Sequence, residues 1–361
     1  MRYIKQLDSV RAIAVFLVVV SHWLPGSFLI NKIPNGQIGV DMFFVLSGFL
    51  ITTILFHARD QATLTGVSLW NVAKNFYLRR SLRIFPIYYL TIGVLFILGA
   101  STGTAIREAF LYFVTYTSNF YFFSIGKWDG MLSHLWSLAV EEQYYLIWPW
   151  IVLWVRKKYL LPVIIIFIII GISSQFMLAG VNKGRLLTFT CFDAFGFGSL
   201  LSWIITYKLS ALTSFFKILS IVALIILGYF IYGVYVQSWD ILSIRTSVSI
   251  LTIWLITYIY KNLDNGKLRF TWLFNNKFLI FIGKISYGIY LYHLILPVLI
   301  TNKYIDPYLN EYIEKLFNFK YRLILVLLEN TILVVGVSWL SYKLIEAPIL
   351  KFKNRFEYLT K

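Results

Sequence analysis

Charge is scarce in this chain, and acidic charge is scarcest: of 361 residues only 14% are charged, with 16 Asp and Glu against 33 Lys and Arg. That scarcity excludes a soluble globule. A chain that is also 59% hydrophobic and 19% aromatic has too little polar surface to clothe one water-exposed core. Cysteine is nearly absent too. The single Cys191 sits in an apolar run, which excludes a disulfide framework and a thiolate metal cluster and leaves the redox compartment open. No small-residue cleavage site follows the first apolar run, so that run is expected to be retained and not removed as a signal peptide. Internal repeats, low-complexity linkers and long loops are also lacking. No soluble catalytic domain is therefore expected at either end, and any chemistry falls among the helices. The net charge of +17 would suit nucleic acid if it formed a basic face on a soluble module. Here the basic residues lie between apolar runs, so membrane lipids are the expected partner and nucleic acid is not.

What the chain has in abundance is long apolar runs. Segments of about 20 such residues mark membrane helices, and they occur near 10–30, 38–58, 84–101, 136–155, 159–179, 188–207, 214–236, 243–260, 279–300 and 321–344. The fold expected is an all-α integral membrane protein of about ten transmembrane helices with short loops. The stretch AFLYFVTYTSNFYFF at 109–123 is aromatic and speckled with polar residues, and is read as interfacial or re-entrant. With both termini in the cytoplasm, the inner loops collect Arg59, Lys74, Arg79, Arg80, Arg83, the Arg156–Lys158 run, Lys261 and Lys277, as the positive-inside rule requires. Residues 1–345 then form the transmembrane domain and 346–361 a basic cytoplasmic tail.

Against this background the ionisable residues inside the spans stand out. An arginine at mid-helix costs about 2.5–3.5 kcal/mol on insertion scales. In SVRAIAVFLVVVSHWLPG, Arg11 and His22 lie eleven residues apart, about 20° from a whole number of turns, so they share a face about 16 Å apart along the axis. Arg11 either snorkels to the surface or belongs to a site; His22 either bonds a neighbouring helix or reacts. GVDMFFVLSGFLIT brings Asp41 and a Ser47-Gly48 pair that admits close approach of another helix or a ligand. RRSLRIFPIYYL crowds Arg79, Arg80 and Arg83 on one side of a helix end, which suits phosphates as well as lipid headgroups. SHLWSLAVEEQYYLIWP places His134, Ser137, Glu141 and Tyr145 on one stripe with Glu142 about 100° away. An ion pair with Arg11 or Arg185 is the structural alternative for those carboxylates. GKISYGIYLYHLILP lines up Ser286, Tyr290 and His293, a face that an interhelical hydrogen-bond ladder would equally produce.

Taken in order and spacing, the Arg-x10-His pair, GVDMFFVLSGFLIT, RRSLRIFP, HLWSLAVEEQYYLIWP, SYGIYLYH and the late EAP at 346–348 resemble the membrane acyltransferase-3 family over nearly the whole chain. The resemblance implies a ten-helix protein of the bacterial cytoplasmic (inner) membrane. It would use acyl-CoA, usually acetyl-CoA, to O-acylate a glycan or lipid-linked sugar of lipopolysaccharide O-antigen, peptidoglycan or exopolysaccharide. It implies too that the family's Arg-and-His pair falls on Arg11 and His22, its arginine motif on Arg80 and Arg83, and its acidic motif on Glu141 and Glu142. An appended hydrolase-like domain, present in some relatives, is not expected here.

The chemistry of these side chains fits that implication. A neutral imidazole suits removal of a hydroxyl proton near neutral pH, which makes His22 the candidate base, and a covalent acetyl-histidine is the variant of the same idea. Glu141 would orient the imidazole or the sugar, and Arg11 would steady the donor or the oxyanion. Arg80, Arg83 and Arg79 would hold donor phosphates. Asp41, Ser47, His134, Glu142, Ser286 and His293 would support the acceptor or the helix contacts. No metal is expected. The competing expectation is a transporter or flippase that uses the same Arg, His and Glu groups as a substrate or proton pathway.

Overall fold

The computed structural model describes residues 3–263, 269–305 and 319–356. Among these every regular element is a helix. The first, α1 (Gln6–Trp23), ends where Leu24 turns extended ahead of Pro25, as a residue before proline prefers. Next, α2 (Asn35–Thr65) runs for 31 residues and stops at Gly66 in the left-handed conformation (φ 71°). At about 1.5 Å per residue it is longer than a hydrocarbon core of about 30 Å, and its residues from His57 onward are the more polar end. The third, α3 (Leu69–Leu98), is capped by the Ser68 hydroxyl accepting from the Trp70 amide.

The segment expected to be interfacial folds as two short helices, α4 (Phe110–Val114) and α5 (Ser118–Ile125). The remaining elements are α6 (Leu135–Trp154), α7 (Lys157–Met177), α8 (Phe192–Tyr207), α9 (Leu212–Val236), α10 (Ile244–Leu263), α11 (Thr271–Phe274), α12 (Lys277–Lys284), α13 (Ser286–Tyr292), α14 (Phe319–Ser341) and α15 (Ala347–Lys351). Wide π-type turns span Pro297–Ile305 and Tyr342–Glu346.

Seven helical stretches among the described residues are long and apolar enough to cross a membrane, where the hydropathy reading predicted ten spans. The other three coincide with α6, α10 and the α12–α13 segment. The first two are full-length but carry Glu141, Glu142, Arg245 and Lys261, which depress their hydropathy; the third is broken at Ile285. All three supply polar groups to the interior, which is why they read as less apolar than the helices that face lipid. In contrast, α9 exposes Ile218, Ile221, Leu224 and Ile225 along its outer surface.

Glycines set the closest helix contacts, as expected where apolar burial gives no preference for one helix over lipid. A Cβ on Gly48 would lie 2.2 Å from the Phe195 carbonyl oxygen, and one on Gly198 2.2 Å from that of Val45, so α2 and α8 touch backbone to backbone. Gly39 likewise brings α2 onto Ala14 of α1, and Gly283 brings α12 onto Asp8. At one end of the bundle Trp150 and Trp154 stack with centroids 4.7 Å apart and Trp70 meets both edge-on at 5.3 Å, while Lys157, at the start of α7, pairs with Asp60 at 3.6 Å. Aromatic and basic residues at one level mark a membrane–water interface.

Candidate active site

Helices α1, α2, α6 and α13 contribute to the walls of two cavities along the bundle, with α3 joining them at one and α10 at the other. Near the start of α1, Arg11, Arg80, Arg83, Glu141, Glu142 and Ser286 line a narrow cavity of about 90 Å³. Near its end, His22, Asp41, His134, Trp136, Arg185 and Arg245 line a larger one of about 470 Å³. Val40 and Tyr290 belong to both walls and so form the partition. The Tyr290 hydroxyl is hydrogen-bonded to that of Ser137, and Phe43 meets the Tyr290 ring edge-on with centroids 6.0 Å apart.

Helical rise explains which residues fall on which side. Arg11 and His22 share a face of α1 but sit at different depths, one per cavity. His134 and Glu141 do the same on α6, separated by about 10 Å. Glu141 therefore does not meet His22. It accepts from the Ser47 hydroxyl at 3.0 Å, and Ser47 is 2.9 Å from the Tyr145 hydroxyl, a chain that ties α2 to α6. Glu142 lines the same cavity in spite of the angular offset between the two carboxylates.

Behind His22 stands His293. Their Nδ1 and Nε2 atoms are 2.9 Å apart, and His293 Nδ1 is 2.6 Å from the Tyr290 carbonyl oxygen. A carbonyl only accepts, so in the neutral ring His293 Nδ1 carries the hydrogen and Nε2 must accept. His22 then donates from Nδ1, and its Nε2 is left as the unprotonated nitrogen of a ring lining the larger cavity. The Trp23 indole bonds the His293 carbonyl at 2.8 Å and fixes α1 against α13 at this level. His134 packs edge-on to His293 with centroids 4.9 Å apart, and its Nε2 is 3.0 Å from the Leu291 carbonyl oxygen.

The arginines divide. Arg11 pairs with Asp8 at 2.6 Å. Arg80 lies over the Tyr145 ring, 5.1 Å from its centroid, and lines the narrow cavity with Arg83. Arg79 turns elsewhere and donates to the carbonyls of Lys353 and Phe356 at 3.1 and 3.0 Å. Burial, with Arg83, Arg79 and Arg80 nearby, pushes the Lys353 ammonium down to about 8. Three cationic side chains, Arg11, Arg80 and Arg83, thus line the narrow cavity, and Lys353 lies close enough to Arg83 and Arg80 to feel their charge. Asp41 forms a buried ion pair with Arg245 at 2.8 Å, and Arg245 also donates to the Thr190 carbonyl at 2.8 Å. Ser286 bonds the Gly283 carbonyl at 2.9 Å.

Sequence reasoning singled out neither Asp8, Arg245, Lys353 nor Trp136. Asp8 had a signal, since it is three residues from Arg11 and so on its face. Arg245 opens an apolar run and was legible only as a charge near a helix end.

An acyltransferase domain family matches residues 4–343, and the chain belongs to that family. Within it, the chain is 27% identical over 390 residues to a Staphylococcus aureus (strain COL) protein that carries the provisional name O-acetyltransferase; the match covers 97% of this chain and 58% of that one. It is 29% identical over 391 residues to the peptidoglycan O-acetyltransferase OatA of Listeria monocytogenes, covering 99% and 57%. The chain thus spans somewhat over half the length of these relatives. No solved structure matches it. Family and helices together define a multi-pass membrane protein of the acyltransferase class.

Proposed function

We propose that this domain is a membrane O-acetyltransferase that moves an acetyl group from acetyl-CoA to a hydroxyl of a surface glycan such as peptidoglycan, O-antigen or exopolysaccharide. The observation that carries the reading is the His22–His293–Tyr290 relay, which leaves an unprotonated imidazole nitrogen on a ring lining a cavity of about 470 Å³. Pockets of some 300–1,000 Å³ are the usual size for small ligands. The names of the relatives support the reaction type.

In the proposed step His22 Nε2 takes the proton of the acceptor hydroxyl while that oxygen attacks the thioester carbonyl. The carbon–sulfur bond breaks, and the thiolate recovers the proton from the imidazolium. Acyl-CoA and alcohol give ester and free thiol, with no net proton change. Arg80, Arg83 and Lys353 are assigned to the donor phosphates, which guanidinium groups hold through charge-assisted hydrogen bonds. The donor's acyl arm would reach His22 past Tyr290. This requires the α1 start to face the cytoplasm and the larger cavity to face outward, in the cytoplasmic membrane of a bacterium.

The test is reconstitution of the whole chain in liposomes with acetyl-labelled acetyl-CoA inside and an oligosaccharide outside. Label should appear as an ester on the oligosaccharide, and His22→Ala, inserted at normal level, should lower the rate by about 10²–10⁴-fold. Movement of glycan across the membrane with no ester formed would refute the proposal in favour of a flippase.

A further inference from the structure

Arg185 lies in the short turn Gly184–Leu186 between α7 and α8. With Gln37 and Arg245 it lines both the larger cavity and a neighbouring one of about 530 Å³, so it stands where the two meet. The two arginines are held very differently. Arg245 is only 2% exposed and is held by an ion pair with Asp41 and by hydrogen bonds to Thr190. Among the described residues Arg185 donates to the Gln37 amide oxygen alone, at 3.3 Å, and forms no ion pair. Its backbone is nonetheless anchored, because its carbonyl accepts from Arg245 Nη1 at 3.2 Å and from the Thr190 hydroxyl at 3.0 Å. The result is a guanidinium on a rigid root with most of its five donors unused by any described residue.

The surroundings narrow what such a group would bind. Asp41 is already neutralised by Arg245, so Arg185 leaves the larger cavity with an excess positive charge. Lys183 lines the neighbouring cavity with its ammonium 3.9 Å from the Trp128 ring centroid. Trp128 and Trp136 line the larger cavity and Trp239 the neighbouring one, offering flat faces for the C–H surfaces of sugar rings. An uncommitted guanidinium, flat indoles and two adjoining cavities together describe a site for an acidic saccharide longer than one ring.

We propose that Arg185 is the anion subsite of the acceptor. The paired cavities take an acidic glycan with its carboxylate or phosphate in the Arg185 fork, sugar faces on Trp128 and Trp136, and the reacting hydroxyl toward His22. This rests on the acyl-transfer reading for the last clause only, since the binding preference exists without the reaction.

The experiment measures binding of three probes to the purified full chain without donor. They are a carboxylate-bearing oligosaccharide, the same oligosaccharide with its carboxyl reduced to the alcohol, and a phosphorylated neutral one. Wild type should bind the carboxylate form roughly 10- to 100-fold tighter than the reduced form, the range of a charge-assisted hydrogen-bonded pair. Arg185→Gln should bind both alike, and Arg185→Lys should keep part of the preference because charge survives without the fork. Tighter binding of the phosphorylated probe than the carboxylate would identify phosphate as the natural anion. Equal or absent binding of charged and reduced forms by wild type overturns the proposal, as does a preference that survives in folded Arg185→Gln. A preference lost in Arg185→Gln, combined with no acyl transfer by wild type, would leave this subsite standing and the reaction refuted.

Discussion

What distinguishes His22 from a histidine that merely bridges two helices is the second ring behind it. Taken from its helix face alone, His293 is one rung of a ladder whose loss would be mild. In the fold it accepts from His22 Nδ1 and so determines which nitrogen of His22 is free. On this basis His293→Phe is expected to lower kcat for transfer by about 10²-fold with the acceptor KM unchanged, and His293→Gln to recover part of the loss by supplying an amide oxygen. Steady-state kinetics in liposomes would separate this from simple destabilisation, which would lower the amount of active protein in both variants alike. The arginine motif divides similarly. Arg83→Ala should weaken acetyl-CoA binding roughly tenfold or more, the value of a lost charge-assisted contact. Arg79→Ala should leave donor affinity unchanged and instead loosen the segment at 353–356 that it holds by two carbonyls, seen as faster proteolysis there. Equal effects of the two on donor affinity would contradict this division.

Among the elements, the closest packing is glycine-mediated and testable without any knowledge of substrate. Gly48→Ala places a methyl 2.2 Å from the Phe195 carbonyl and must force α2 from α8, a strain of the overpacking kind at about 1–3 kcal/mol. Gly228→Ala on the lipid-facing α9 meets nothing within 4 Å. Thermal denaturation in detergent should therefore show a lowered Tm for the first and an unchanged or slightly raised one for the second. A Ser47-Gly48 pair was visible in the sequence as a point of close approach, and α8 is the partner that approaches. The span count is the looser part: the sequence reading counts α6, α10 and the α12–α13 segment as spans, whereas seven helical stretches among the described residues are apolar and long enough to cross, and these three fall short because they carry polar groups or a break.

For the whole molecule, the two cavities and their Tyr290 partition define an axis from Arg80 and Arg83 to His22. Acyl transfer along that axis needs the two ends to face opposite sides of the membrane. Reporter fusions after Lys158 and after Lys361 should both read cytoplasmic, given the basic residues at that end of α6 and α7. An external signal at either would reverse or break the axis and with it the assignment of donor and acceptor cavities.

The sequence by itself determined the solvent, the helical elements and the residues that share each helix face, because composition and the 3.6-residue period act within one segment. It also brought out ionisable groups that line the two cavities, Arg11, His22, Arg80, Arg83, His134 and Glu141 among them, since an ionisable side chain in an apolar run is conspicuous wherever the run ends up. Only the tertiary structure decided who meets whom: Glu141 with Ser47, His293 behind His22, Asp41 with Arg245, and Arg185 with the Gln37 amide and, among the described residues, no carboxylate. The reason is that two helices can slide past each other by about 1.5 Å per residue without changing either one's pattern. The depth at which they stop is set by contacts such as Gly39 on Ala14 and Gly48 on Phe195, between segments far apart in the chain.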